Sequence, residues 1–238
     1  MNITQNSKVS HAFCVLVALA ASVVLAACSS SSGKSTAVNW SSKLLATCSG
    51  KPGAPTTLSI QSSAVISGAN LDLTNSCLLE IDQGSLTIDR STLKVSSLGI
   101  VLSQKARLSI ESSKIFSFSP SSSVSLTSSG GGQVVTFSRD NIHLDRGILV
   151  ELGFGSTPNN GVKELAVLQT SINAPSPDGL GIDFITKGPS KFIDDTFSTK
   201  ANGGIVAVKS ASLRTCTITR VKGISGHACL SITSGAQG

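Results

Sequence analysis

The residues able to carry chemistry in this 238-residue chain are few: 13 acids, three histidines and six cysteines. Cys48, Cys77, Cys216 and Cys229 lie in the body of the chain. Four thiols in an oxidising compartment can pair in three ways. The local option joins Cys48 to Cys77 and Cys216 to Cys229; the other reading is four buried thiols. No Cys-x-x-Cys and no His-rich cluster has the spacing of a structural metal site, so neither metal nor cofactor is expected. His143 and Asp145 alternate with Ile142 and Leu144, which places both toward water. Asp178-Gly179 reads as a turn and His227 as a surface residue. Gly130-Gly131-Gly132 is a flexible turn and not a phosphate loop, because no Lys-Ser/Thr and helix follow it. Serine is abundant, yet no elbow-type nucleophile is followed by a placed histidine.

The elements that must position these residues begin after a removable leader. Met1–His11 is polar with one firm positive charge, Lys8, and Ala12–Ala27 is uncharged and mostly apolar. That run is shorter than the roughly 20 residues a spanning helix needs, so it reads as a secretory signal. Its end, Leu25-Ala26-Ala27-Cys28, resembles the lipobox of bacterial lipoproteins: an aliphatic residue, two small residues and an obligatory cysteine. The resemblance implies cleavage before Cys28, diacylglycerol on its sulfur, and a fatty acyl group such as palmitate on the new amino group. It also implies that Ser29, in place of Asp, directs the protein to the outer membrane of the cell envelope. The Ser-rich stretch that follows can bury no core and reads as a tether.

Beyond the leader, Ser, Thr, Gly, Val, Ile and Leu dominate, with one tryptophan and no tyrosine. That composition favours strands and turns over helices. The formal charge of +6 is scattered and few aromatics accompany it, so no nucleic-acid partner is expected.

One pattern recurs, in which apolar residues alternate and a polar turn follows. It begins at Leu58, Leu86, Leu108, Val135, Leu165, Phe192 and Leu213, with steps of 28, 22, 27, 30, 27 and 21 residues. A second station between copies often follows glycine, as in Gly99-Ile100, Gly147-Ile148, Gly179-Leu180 and Gly204-Ile205. Short strands, variable connections and this period describe stacked coils. The expected fold is all-β: a right-handed parallel β-helix of about seven coils with a short N-terminal cap. Expected boundaries are a signal peptide over 1–27, lipidated Cys and tether over 28–37, a cap over 38–57 and the solenoid over 58–238. The cap would place Val38, Trp40, Leu44 and Leu45 over the first coil. No cap is legible at the C-terminal end, so a covering chain or a truncated last coil is expected there.

Three second-station segments, Ser176–Asp183, Asn202–Ser210 and Gly226–Ile232, resemble consecutive strands of the polygalacturonases, in the pectate lyase-like superfamily of right-handed β-helices. That family carries Asn-Thr-Asp, Asp-Asp and Gly-His-Gly in turn. The resemblance maps Asp178 onto the first motif and His227 onto the third. The Asp pair falls on Gly203 and Gly204 and is missing, and the family's later Arg-Ile-Lys lies beyond the chain. Steps of 25 and 24 residues from Asp178 to Gly203 to His227 imply that the three stack on one face, the family's cleft. Inverting hydrolysis needs one carboxylic acid and one carboxylate across the bond, and here one position is lost. Asp194-Asp195 belongs to the other station.

The resulting expectation is a lipid-anchored β-helix that binds glycan or another envelope component, or serves as a spacer or adhesin. Its partners would be the bilayer, through Cys28, and polysaccharide. The rival readings are a polysaccharide hydrolase or lyase, and a truncated remnant of one.

Overall fold

Alternation at period two, repeated at coil-length intervals, leaves each strand with one apolar face and too few residues to bury it alone. Stacking strands of successive coils in register covers that face. The computed structural model describes residues 38–49, 56–153, 162–201, 206–210, 216–223 and 230–231. It is a parallel β-solenoid of about six turns, with about 60% of the described residues in strands and one short helix at the N-terminal end.

Each coil presents three faces. The first comprises Ser63–Ser67, Ser85–Asp89, Arg107–Glu111, Val134–Ser138, Glu164–Leu168, Ser190–Ile193 and Cys216–Thr219, all parallel and paired in that order. The third face follows each of these after a two-residue turn, and the second face follows the third. Early in the chain, Asn70–Ile81 and Thr92–Leu102 run through both of those faces, with a register irregularity between Leu73 and Ser76. Later coils split them: Lys114–Ser117, Asn141–His143, Ser171–Ala174 and Thr196–Thr199 on the third face, and Ser123–Ser128, Gly147–Leu152, Gly181–Thr186 and Val206–Ser210 on the second.

The core is a set of columns. On the first face Ala64, Leu86, Leu108, Val135 and Leu165 are direct register partners and are all buried. On the second, Leu58, Leu79, Ile100, Leu126, Val150, Phe184 and Val208 align. On the third, Leu71, Leu93, Ile115, Ile142, Ile172 and Phe197 align. Phe184, Phe192 and Phe197 converge from three faces, with ring centroids 5.2 to 6.2 Å apart, and fill the interior edge-on or tilted.

Three details of the repeat differ from expectation. Leu58 belongs to the second face, where it pairs with Leu79; the first-face position before Leu86 is Ala64. Leu58-Ser59-Ile60 alternates just as a first-face strand does, so period alone could not separate the two faces. Phe192 aligns with Val167 and Ile218, so the slot after Leu165 is Ser190, a buried serine invisible to an apolar pattern. On the second face the partner of Gly147 is Gly181, two residues past Gly179. A Cβ on Gly147, whose φ is +108°, would lie 1.8 Å from the Gly181 carbonyl oxygen, so only glycine fits that approach. Leu213 lies outside the described residues.

The cap is the helix α1, Trp40–Cys48, started by the Asn39 side chain accepting the Ser42 N–H at 3.0 Å. Leu44 and Cys48 are its buried residues, while Val38 and Leu45 face outward. The i, i+4 row of Trp40, Leu44 and Cys48 packs on the coils, and Leu45 is rotated off it. Cys48 is disulfide-bonded to Cys77, with Cα atoms 5.2 Å apart, which ties the helix to the first coils.

Candidate functional site

The turn between the first and third faces has a fixed chemistry. Gly68, Arg90, Ser112, Arg139, Gln169, Asp194 and Arg220 all occupy the left-handed region, with φ between 45° and 61°. The residues after five of them, Ser91, Ser113, Asp140, Thr170 and Asp195, are buried and form a polar ladder along the solenoid. The Ala69 N–H donates to Ser91 Oγ (3.1 Å), Ser91 N–H to Ser113 Oγ (3.1 Å), Ser113 N–H to Asp140 Oδ1 (2.8 Å) and Thr170 N–H to Asp195 Oδ1 (2.8 Å). These side chains satisfy backbone donors that no strand can reach. Ser and Thr at this position donate onward to the carbonyl two residues back. Asp140 has no proton to give when ionised and instead accepts the Ser138 N–H on Oδ2 at 2.8 Å.

Burial pushes both ladder carboxyls up to about 7 from 3.8. For Asp140 the N–H groups of Ser113 and Ser138 oppose the rise, and for Asp195 those of Thr170 and Ile193 do. A carboxyl whose folded-state value is raised contributes stability that is complete below the unfolded value and lost as pH rises through the folded one. Two such groups make stability fall as pH rises from about 4 toward 7. The exposed Asp89 and Asp194, held low by Arg90 and Arg220, act in the opposite sense below pH 4. The thermal midpoint is therefore expected to be higher at pH 5 than at pH 8. The Asp140→Asn, Asp195→Asn double variant should flatten that difference. Equal midpoints at pH 5 and 8 in the parent protein would show that the ladder does not titrate in this range.

Asp178 is exposed in the turn before Gly181–Thr186. The turn is pinned by the N–H groups of Leu180 and Gly181, both donating to the Arg146 carbonyl, at 2.6 and 3.1 Å. Gly203, Gly204 and His227 lie outside the described residues, as do Cys28 and Cys229. Cys216 is disulfide-bonded. Asp194 and Asp195 form the turn between the first and third faces; Asp195 is buried in the ladder, and Asp194 pairs with Arg220 at the surface.

Sequence spacing missed a feature of the second face. Leu149 pairs with Asp183, and Glu151 with Ile185, so Asp183 and Glu151 project outward from neighbouring strands. Two residues along and one strand across separates them by roughly 8 Å. Ile185 in turn pairs with Lys209. Only register could reveal this, because Glu151 and Asp183 fall in coils of unequal length. Among the described residues, no group of three His, Cys, Asp or Glu comes together that could hold a metal ion.

Two polar depressions share Gln83 at the turns linking the second face to the first. One is lined by Asp82, Gln83, Ser103, Gln104, Ser129 and Gly130. The other adds Lys105 and Arg107.

The third face carries a different strip. Its outward positions align Asp72, Lys94, Phe116, His143, Asn173 and Ser198. Lys94 pairs with Asp72 at 3.5 Å. Asn173 Nδ2 and His143 Nδ1 are 3.0 Å apart, a contact in which the amide N–H donates when the ring's proton is on Nε2. Phe118 extends the strand by one hydrogen bond, its N–H to the Val95 carbonyl at 2.8 Å, and is 48% exposed. The Asp145 N–H donates to Ser117 Oγ at 2.7 Å, which sets Asp145 beside this strand.

Comparison of the chain with family models, with curated proteins and with solved structures finds no match.

Proposed function

We propose that this protein is an envelope lipoprotein, acylated on Cys28 and held at the outer membrane, whose solenoid binds glycan without cleaving it. The observation that carries the reading is the repetition of hydrogen-bonding groups along the outside of a stiff rod. Parallel coils place hydroxyls, amides and amines at intervals of about 4.8 Å, a spacing suited to a polymer of repeating polar units. Ser63 and Ser85, and likewise Asn70, Thr92, Lys114, Asn141, Ser171 and Thr196, are successive outward neighbours of this kind. The depressions around Gln83 add amide and cationic groups to the same surface. A role as spacer or adhesin uses the same rod. The leader and Leu25-Ala26-Ala27-Cys28 support the anchoring half of the proposal. The shape of the second-station segments and the stacked-coil fold support kinship with the pectate lyase and polygalacturonase superfamily, with Gly203-Gly204 in place of its Asp pair.

The rival reading, a glycan hydrolase, is favoured by one observation: the outward pair Glu151 and Asp183. Their backbone positions are roughly 8 Å apart on neighbouring strands, and glycoside hydrolysis needs two carboxyls flanking the bond. The two readings part on turnover. The full-length protein in detergent is expected to release no reducing ends from polygalacturonate. Release that vanishes in Asp178→Asn, His227→Ala or in Glu151→Gln would make the protein an enzyme and identify which carboxylates serve it.

A further inference from the structure

We propose that Phe116, Phe118, His143, Asp145 and Asn173 form a binding site for neutral hexopyranose oligosaccharides on the third face. This inference rests on the glycan-binding reading and assigns it a place and a sugar class.

The starting point is the treatment of phenylalanine. Of the six among the described residues, Phe137, Phe184, Phe192 and Phe197 are buried in the core. The other two are left out of the core: Phe116 is half-buried on Lys114–Ser117, and Phe118, 48% exposed, sits two residues on, in the bend that follows that strand. The Phe118 N–H, bonded to the Val95 carbonyl at 2.8 Å, keeps that bend against the neighbouring coil, with the two Cα atoms no more than about 7 Å apart. Isolated exposed apolar residues need no explanation, but two neighbouring phenylalanines left out of the core, where the other four described ones are buried, offer a platform.

What surrounds the platform selects the ligand. A purely apolar protein partner would meet polar groups on the next coils: His143 beside Phe116, then Asn173, with Asp145 near Phe118. A sugar ring matches both halves. Its axial C–H face carries slight positive charge and lies against the negative face of an aromatic ring. Its rim of hydroxyls needs donors and acceptors at fixed places. With the Asn173 amide donating, the Asn173–His143 contact holds the imidazole with Nε2–H as donor on the side away from Asn173. The Asp145 carboxylate accepts hydroxyl hydrogens and repels an acidic sugar. Lys94, the register neighbour of Phe116, is already turned to Asp72. Neutral hexoses are thus favoured over uronic acids. This is a different face from the one that carries Asp178, Glu151 and Asp183.

The test is retention of the full-length protein, in detergent, on immobilised cellotetraose, laminaritetraose, mannotetraose and trigalacturonate. The proposal expects at least one neutral tetrasaccharide to bind more tightly than trigalacturonate. It expects Phe118→Ala and Phe116→Ala to weaken that binding at least tenfold, Phe118→Trp to keep it, and Val65→Ala, an exposed first-face control, to leave it unchanged. Phe118 is 48% exposed, so Phe118→Ala should melt with the parent, which separates lost binding from lost fold. Neutral sugar bound equally by parent and alanine variants, or lost instead on Gln83→Ala, overturns the third-face site and leaves the glycan-binding reading standing. Preference for trigalacturonate also overturns it. Failure of the parent to bind any of the four overturns both.

Discussion

Leu108→Asp should abolish folding of the solenoid, whereas Thr136→Asp, one coil on and facing outward, should change stability by no more than about 0.5 kcal/mol. Leu108 is 1% exposed, with Leu86 stacked on one side and Val135 on the other. Its truncation to Ala alone would cost about 2 to 5 kcal/mol in lost burial and cavity. An aspartate there adds an unpaired charge in an apolar column, several kcal/mol more. Whole domains are stable by only about 5 to 15 kcal/mol. The damage also spreads, because a solenoid coil is held by its two neighbours and a failed coil uncovers both. Circular dichroism and limited proteolysis give the readout: loss of the strand signal and cleavage within the body of the chain. A cooperative melt within a few degrees of the parent would contradict the stacked-column core.

The column containing Leu108 was legible in the sequence because it is built from bulky aliphatic residues at coil intervals. Leu86, Leu108, Val135 and Leu165 were all found that way, and they are register partners. The pattern failed where the column changes chemistry. Ala64 is small and Ser190 polar, so neither announces a core position, and Leu58 and Phe192 were aligned in their stead. The third face left a weaker trace. Its early strands merge with the second face in Asn70–Ile81 and Thr92–Leu102, so no turn marks the border.

The surface was less legible than the core, for a physical reason. Inward positions are constrained to be apolar, but outward neighbours are chosen one coil apart across loops of differing length. His143 and Asp145 could be read as facing water from alternation with Ile142 and Leu144. That Phe116 stands beside His143, and Leu149 beside Asp183, follows only from the pairing register. The polar ladder was likewise hidden: Ser91, Ser113, Asp140, Thr170 and Asp195 share no single residue type, only the capacity to accept a backbone N–H.

Cys28→Ala should remove all acyl label and leave an uncut precursor or a mislocalised protein. The motivation is Leu25-Ala26-Ala27-Cys28 at the end of the apolar Ala12–Ala27 run, followed by serines that can bury nothing. Each buried methylene contributes about 0.8 kcal/mol, and a single chain binds membranes only reversibly. A diacylglycerol with an added acyl group supplies several chains at one residue, so the difference between parent and variant is firm attachment against none. Serine at this position is not a substitute, because the thioether needs sulfur. The solenoid should be unaffected in the variant, since Cys28 precedes it and Cys48 is bonded to Cys77. Its melting midpoint should equal that of the parent, which separates loss of anchoring from loss of fold. Growth with radiolabelled palmitate, followed by separation of membrane and soluble fractions, reads both halves at once. If Cys28→Ala still takes up label and pellets with membranes, another residue carries the lipid and the anchoring proposal is wrong. If the parent takes up no label at all, the leader is an ordinary secretory signal, and the rod is released instead of displayed.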